Sequence, residues 1–319
     1  MFEELRIARY RFTLQAGERG LELPVFKTAA LRGGFGQVFK YLVCSYPTLE
    51  CDECPIKKTC AFPYVFLTRS DENAGIQRKF EGIPRPYIIR EQFDGKFRYK
   101  AGERFSFELV LMGDAIRYFP YFVYTFDRLA ESGVGFGRNS AKLTSVEGLE
   151  MQSNLAYLLF DGKTRRLSNK SIIYTGTQLA EKSQLVNSEQ VTIHFETPFR
   201  TKWQGRFTNK PDFHIVFRSL MRRLSSILYF HHGVNLDVDF VNLVKKAEMV
   251  ETIQQDTNWV DLDRFSSRQD SKMSLGGFIG HTTYKGNLKP FIPFLLAGEL
   301  IHGSKQAVFG LGQIRCVWW

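Results

Sequence analysis

The row from Leu5 to Leu14, LRIARYRFTL, alternates approximately between apolar and polar residues, with Leu5, Ile7, Tyr10, Phe12 and Leu14 as its apolar members. A period near two predicts a half-buried strand. The breakers Gly17, Gly20 and Pro24 follow, and in ALRGGFGQVFKYLVC the residues Leu31, Phe35, Val38, Phe39 and Leu42 return at helical spacing despite three glycines in the first turns. This reads as a helix entered through backbone that can approach a neighbour closely. After a cysteine-rich insertion, PYIIRE and ERFSFELVLMG read as strands, AIRYFPYFVYTFDRLAESG as an apolar helix and GRNSAKLTSVEGL as a further strand. The order β, α, β, β, α, β is that of a ferredoxin-like unit.

The second half repeats these intervals. Strands are expected near Leu155 to Phe160 and Val191 to Phe195, joined by polar, hairpin-like segments. From about Asp212 to Phe230, Phe213, Val216, Phe217, Leu220, Leu224, Ile227 and Leu228 make one apolar stripe, which predicts a helix. A helix near Phe240 to Ala247, a strand after it, a short helix around Pro290 to His302 and a closing strand from Ala307 to Trp318 complete the pattern. The expected fold is α+β, with two tandem ferredoxin-like domains. The first, 1–150, carries the cysteine insertion at 44–60; the second, 151–319, carries a glycine-rich loop at 303–312.

Composition narrows the partner. With 44% hydrophobic residues, 29 Phe and 13 Tyr, the chain has the apolar surface that a disordered protein lacks. Its 43 Lys and Arg against 33 Asp and Glu give a net charge of +10, which favours a polyanionic partner without separating RNA, DNA and anionic lipid. The row MFEELRIARYRF has acids at once and no apolar core, against a secretory signal. The apolar stretch Phe291 to Ile301 is short and holds Pro293, Gly298 and Glu299, so no membrane span is expected and the chain reads as cytoplasmic.

Four of the five cysteines, Cys44, Cys51, Cys54 and Cys60, fall in CSYPTLECDECPIKKTC with C-x6-C-x2-C-x5-C spacing. In a reducing compartment this favours a metal over disulfides: a structural zinc ion held by four thiolates, or an iron–sulfur cluster on the same ligands. Four protein ligands leave no open position for chemistry. Basic residues gather in two places. Lys163, Arg165, Arg166 and Lys170 lie on a hairpin-like segment; Arg200, Lys202, Arg206, Lys210, Arg218, Arg222 and Arg223 are interleaved with Trp203 and Phe207. Cations neutralise phosphates and rings stack on unpaired bases, so the mixture suits RNA; a solvated basic face is the other reading. His214, Arg218 and Arg222 share a helical face, while His231 and His232 before Gly233 suit a helix C-terminus. In the loop from Gly303 to Gly312, Gly303, Gly310 and Gly312 leave backbone N–H groups that could approach a phosphate.

The run GGFIGHTTYKGNLKPFIPFLLAGELIHGSKQAVFGLGQI resembles the C-terminal signature of the CRISPR repeat-processing endoribonucleases, members of the RAMP superfamily. LPVFKTAALRGGFGQVF, CDECPIKKTCAFPYVF and IRYFPYFVYTFDRLAESGVGFGRNSAKL resemble earlier parts of that family, so the likeness covers nearly the whole chain. It implies two ferredoxin-like (RRM-like) domains, a glycine-rich loop on RNA, and cleavage of CRISPR repeat RNA with no cofactor for catalysis. In such cleavage a 2′-hydroxyl attacks the adjacent phosphorus. Other CRISPR effector or adaptation proteins form a further partner class. His302 and Lys305 form the His/Lys pair inside the motif, and His281 stands in its neighbouring part. These three are the candidate catalytic residues, with His302 alternatively a residue that fixes the loop. Two departures stand out: His302-Gly303-Ser304-Lys305 shifts a glycine by one position from the family's His, apolar, Gly, Lys pattern, and no histidine precedes His194. Lys27, Lys40 and Tyr41 are the substitutes near the first helix. A non-catalytic RNA-binding subunit of a CRISPR ribonucleoprotein is the alternative function.

Overall fold

The computed structural model describes residues 2–68, 83–91, 95–151, 155–168, 170–266, 271–304 and 306–319, and of 263–266 and 271–274 the backbone alone. The chain divides into two compact units, Arg6–Tyr174 and Thr175–Trp319, the latter joined by Met1–Leu5.

In the first unit β1 (Arg6–Ala16) buries Tyr10, Phe12, Leu14 and Ala16 and turns Arg9, Arg11, Thr13 and Gln15 to the other face, as its alternation predicts. The two-residue strand β2 (Leu21–Glu22) precedes helix α1 (Lys27–Val43), whose Leu31, Phe35 and Phe39 are buried. Then come β3 (Tyr87–Arg90), β4 (Arg98–Tyr99), β5 (Arg104–Met112), α2 (Phe119–Ser132) and β6 (Ala141–Leu149). The short strands β2 and β4 pair with each other. Phe35 of α1 lies 5.0 Å from Phe122 and 5.2 Å from Phe126 of α2, while Phe126 also meets Phe12 and Phe107 of the sheet. Burying such a ring contributes about 1.5–3 kcal/mol, so this cluster fixes both helices on one sheet face. The hairpin of β7 (Ala156–Asp161) and β8 (Arg166–Leu167) extends the sheet, giving the order β3-β5-β1-β6-β7-β8 with antiparallel pairings. The division therefore falls near 174 rather than 150, because β7 and β8 belong to the first sheet.

The strand β9 (Tyr174–Thr175) stands at the division and leads into α3 (Gly176–Leu185), where the pattern predicts polar hairpins. Its stripe is too thin to read, since Gly176 and Leu179 are its buried residues; what starts it is a capping box, with Thr175 and Gln178 exchanging bonds of 3.4 and 3.0 Å. Next come β10 (Gln190–Phe199), the hairpin of β11 (Lys202–Trp203) and β12 (Arg206–Phe207), α4 (Phe213–His232) and α5 (Phe240–Glu248). Gly233, at φ 72°, closes α4, and His232 Nδ1 reaches the Ile227 carbonyl at 3.2 Å. The chain continues with β13 (Glu251–Val260), β14 (Asp263–Ser266), β15 (Ser271–Ser274), β16 (Gly277–Lys285), α6 (Ile292–Ile301) and β17 (Ile314–Trp318). The sheet order is β13-β16-β10-β17, again antiparallel. Phe213 and Phe217 of α4 meet Phe291 at 5.0 and 4.8 Å, the core that seats α6. The closing strand is shorter than the expected Ala307 to Trp318, because 307–309 form a 3₁₀ turn and Gly310 and Gly312 take positive φ. Among the described residues no helix is long and apolar enough to cross a membrane.

Candidate active site and nucleic-acid interface

On β10, Val191, Ile193 and Phe195 are buried, so the alternation sends His194 and Glu196 to the polar face. Register then builds a row. His194 lies opposite His281 on β16 and opposite Arg315 on β17, and His281 lies opposite Asp256 on β13. Directly opposed residues share a face, so Asp256, His281, His194 and Arg315 cross the sheet side by side. The two imidazoles are half-buried, with centroids 5.5 Å apart and planes inclined by 30°. Arg315 Nε donates to Glu196 Oε1 at 2.8 Å and Gln313 Nε2 donates to Glu196 Oε2 at 2.6 Å, which fixes a guanidinium beside His194. Burial, then Arg315 and His281, push the His194 pKa below the usual imidazole value, with Glu196 pulling weakly the other way. His194 is therefore neutral at pH 7 and able to accept a proton. Sequence reasoning found His281 and missed His194; the alternation VTIHF was the available signal, but the register that makes the pair is not local.

His302 is placed elsewhere. It ends α6 at φ 58°, its exposure is 0%, and its Nδ1 donates to the Leu311 carbonyl at 3.2 Å. Lys305 lies outside the described residues. The glycine loop differs from the expected phosphate cradle because its amides are buried and already bonded: Gly303 N–H to Gly312 O at 2.8 Å, Gly310 N–H to Ala307 O at 2.8 Å, and Gly312 N–H to Pro198 O at 3.0 Å. Gly303 is glycine for packing, since a Cβ there would stand 2.5 Å from Leu220 and 2.6 Å from Phe199. Its carbonyl accepts from Ser219 Oγ at 2.6 Å.

The predicted RNA-binding cations separate into two groups. Lys163, Arg166 and Lys170 are exposed on or beside the β7–β8 hairpin, and Arg206 and Arg222 are exposed in the second unit. Half-buried Arg200 lies over the exposed Phe207 ring at 4.0 Å with Lys202 on the same ring at 5.2 Å, and Arg200 Nη1 also donates to the Gly276 carbonyl at 3.3 Å. The others bond to neighbouring groups of the chain. Arg165 pairs with Asp127 and approaches Glu131 at 3.8 Å. Arg218 pairs with Glu248 at 2.8 Å and lies over Trp203, whose ring also meets His214 at 4.8 Å. Arg223 Nε donates to the Ile301 carbonyl at 2.6 Å, and burial brings its pKa down to about 10. Of the first-helix substitutes, Lys27 is 4% exposed and pairs with Glu91 at 3.0 Å, Lys40 lies over Phe62 at 5.8 Å, and Tyr41 is 86% exposed. Cys44, Cys51, Cys54 and Cys60 are half-buried free thiols on the run of turns after α1. Among the described residues no three His, Cys, Asp or Glu side chains stand in a metal-ligating arrangement.

A two-unit α+β protein with an imidazole pair flanked by Arg315, and with exposed cations on both units, has the parts of a nucleic-acid-processing protein. Residues 193–314 match the family model of the CRISPR-associated endoribonuclease Cas6, and residues 5–172, over half of the chain, match the N-terminal domain model AF_1859_N. The chain thus belongs to the family of proteins with the AF_1859_N N-terminal domain, and its second half is similar to the Cas6-like CRISPR repeat-processing proteins. An uncharacterized protein of Archaeoglobus fulgidus is 25% identical over 302 residues, 92% of each chain. Cas6 of Thermus thermophilus shares the fold with a TM-score of 0.55 at 14% identity, over 98% of this chain and 99% of that one. A chain of a partial Cas6-RT-Cas1–Cas2 complex matches with a TM-score of 0.60 at 12% identity, covering 99% of this chain. This chain spans 46% of the length of that one.

Proposed function

We propose that the protein is an endoribonuclease that binds CRISPR repeat RNA and cuts it without metal at the scissile phosphate. The family match supports the substrate and the reaction class. The strand order second, third, first, fourth in each sheet supports a duplicated ferredoxin-like unit beneath it. The observation that carries the chemistry is the His194–His281 pair with Arg315 in the same row. His194 accepts the proton of the ribose 2′-hydroxyl while the 2′-oxygen bonds to phosphorus. The bond from phosphorus to the 5′-oxygen breaks, and His281 delivers a proton to that oxygen. Arg315 offsets the charge that develops on the phosphorane oxygens. The products are a 2′,3′-cyclic phosphate and a 5′-hydroxyl. A positioned acid or base contributes about 10²–10⁴-fold. In this reading His302, buried against Leu311, fixes the glycine loop, and Arg166, Arg200, Arg206 and Arg222 hold phosphates.

Incubating the protein with labelled repeat RNA in EDTA, beside the same RNA with a 2′-deoxy sugar at the cut, tests this. Cleavage of the first RNA and not of the second is expected. Cleavage that needs added Mg²⁺, or that survives the deoxy substitution, would overturn the mechanism. The second reading, a subunit that holds repeat RNA uncut, is favoured by the absence of any histidine before His194; tight binding of intact RNA by the wild type would support it. Other CRISPR proteins are proposed as further partners because a Cas6-containing chain of the same fold occurs in a Cas6-RT-Cas1–Cas2 complex.

A further inference from the structure

The loop that leaves α1 at Val43 and returns at Ala61 has no strand or helix of its own. Loops of that length without regular structure are uncommon unless something organises them. Side-chain burial does not organise this one, since between Ser45 and Cys60 no residue is buried and the half-buried ones are Cys51, Cys54, Ile56, Lys57 and Cys60. The backbone is nonetheless wound into successive turns: Glu53 N–H donates to Glu50 O and Lys57 N–H to Cys54 O, each at 3.1 Å, and Cys60 N–H donates to Ile56 O at 2.9 Å. Lys57 Nζ reaches back to the Asp52 carbonyl at 2.8 Å. The inward positions of a loop without a core are thus mostly thiols.

Both ends of the loop are fastened to one helix. Cys44 caps α1, its N–H on Lys40 O at 3.0 Å. Cys60 stands just before Phe62 and Phe66, stacked at 5.4 Å, with the Arg32 guanidinium 4.9 Å over Phe66. Gly36 leaves the space for that packing, because a Cβ there would come within 2.3 Å of Phe66. The chain departs from α1 and lands again on α1, with a cysteine at each end and a C-x2-C turn between them. Lys40, whose carbonyl takes the Cys44 N–H at 3.0 Å, also lies over Phe62 at 5.8 Å, so both ends of the loop meet the same turn of α1.

We propose that Cys44, Cys51, Cys54 and Cys60 close on one zinc ion, which gives this loop the centre that its other side chains do not supply. Four thiolates satisfy tetrahedral zinc, and the C-x2-C turn is the usual knuckle for two of them. Binding converts four thiols and Zn²⁺ into a tetrathiolate of charge −2 and four released protons, with Lys40, Lys57 and Lys58 nearby in sequence to offset the charge. Since no three of the sulfurs stand in a metal-ligating arrangement among the described residues, closing on the ion requires the turns to draw together. The site has no part in RNA cleavage, and its test is independent of it.

The full chain, purified under reducing conditions, is analysed for metals and then, once stripped, titrated with Co²⁺ while proton release is measured. One equivalent of zinc, and the intense visible bands and sulfur-to-cobalt charge transfer of a tetrahedral thiolate site with four protons released, are expected. Cys51→Ser with Cys54→Ser should abolish the cobalt spectrum, and Cys316→Ser, outside the cluster, should leave it intact. No zinc in the protein together with no thiolate spectrum on titration would overturn the proposal. So would iron with acid-labile sulfide in place of zinc, or a cobalt spectrum that survives the double substitution. The wild-type titration decides the matter even if the double variant does not fold.

Discussion

In the first sheet Arg90, Glu108, Arg11 and Glu147 stand side by side across β3, β5, β1 and β6; in the second, Asp256, His281, His194 and Arg315 stand side by side across β13, β16, β10 and β17. The strand order is the same, and each row crosses all four corresponding strands. Their chemistry differs. In the first row charges alternate and saturate one another: Arg90 pairs with Glu108, Arg9 reaches the same carboxylate at 3.0 Å, and Arg11 lies 3.9 Å from Glu108 and 3.6 Å from Glu147. Burial pushes the Glu108 carboxyl up, but Arg90 and Arg9 outweigh it and hold the pKa below the usual carboxylate range. In the second row two imidazoles face each other, and burial and then Arg315 depress the His194 pKa, the guanidinium pairing with Glu196 instead. One row is a stabilising ladder, and the other keeps a proton acceptor beside a cation.

The largest effect expected from this difference is on cleavage. His194→Ala or His281→Ala should lower the single-turnover rate by about 10²–10⁴-fold with RNA affinity unchanged. Glu147→Gln in the first row should leave the rate alone. Equal losses from both rows would break the comparison.

Stability should respond in the opposite sense. Glu108→Ala leaves arginines without their carboxylate and should cost about 1.5–3 kcal/mol in urea unfolding, by the worth of hydrogen bonds to charged groups. Because the folded Glu108 pKa is depressed, its contribution is present above the usual carboxylate value and is lost as pH falls through the folded value. A urea midpoint whose pH dependence is the same in Glu108→Ala and wild type would contradict this.

A similar or smaller effect is expected at Gly303. Gly303→Ala forces a methyl against Leu220 and Phe199 and should destabilise by about 1–3 kcal/mol, with the affinity of the folded protein for RNA intact. Weakened RNA binding without lost stability would restore the loop amides as phosphate ligands. The smallest effect separates the two kinds of arginine: Arg206→Glu should reduce the salt slope of RNA binding by about 0.7 for each single-strand phosphate that the side chain no longer neutralises. Arg165→Glu, already committed to Asp127, should act on stability first.

The helices α2 and α4 and the strands β1, β5 and β10 were legible in the sequence because each has one apolar face with a clean period. The α3 helix was not, since its stripe holds little more than Leu179, although the Thr175/Gln178 box was there to be read. The boundary near 150 followed from counting four strands, and adding β7 and β8 to a sheet is a tertiary event that spacing does not carry. Glycines 303, 310 and 312 suggested open amides; the sequence alone does not tell a glycine that admits a phosphate from one that admits Phe199 and Leu220. Charge counting could not show that Arg165, Arg218 and Arg223 are engaged internally. His281 was legible as part of a motif, while its partner His194 required the register of two strands more than eighty residues apart.

The most direct test of proton transfer by the second row is the pH–rate profile of repeat RNA cleavage in EDTA, for wild type and Arg315→Gln. In the wild type the rate should rise through an acid limb centred below the usual imidazole value, as His194 loses its proton. Removing the guanidinium lets the His194 pKa rise, so in Arg315→Gln the limb should move to higher pH and the plateau should fall. An acid limb that stays in place in the variant, or a wild-type rate that does not depend on pH in this range, would contradict the assignment of His194 as the base.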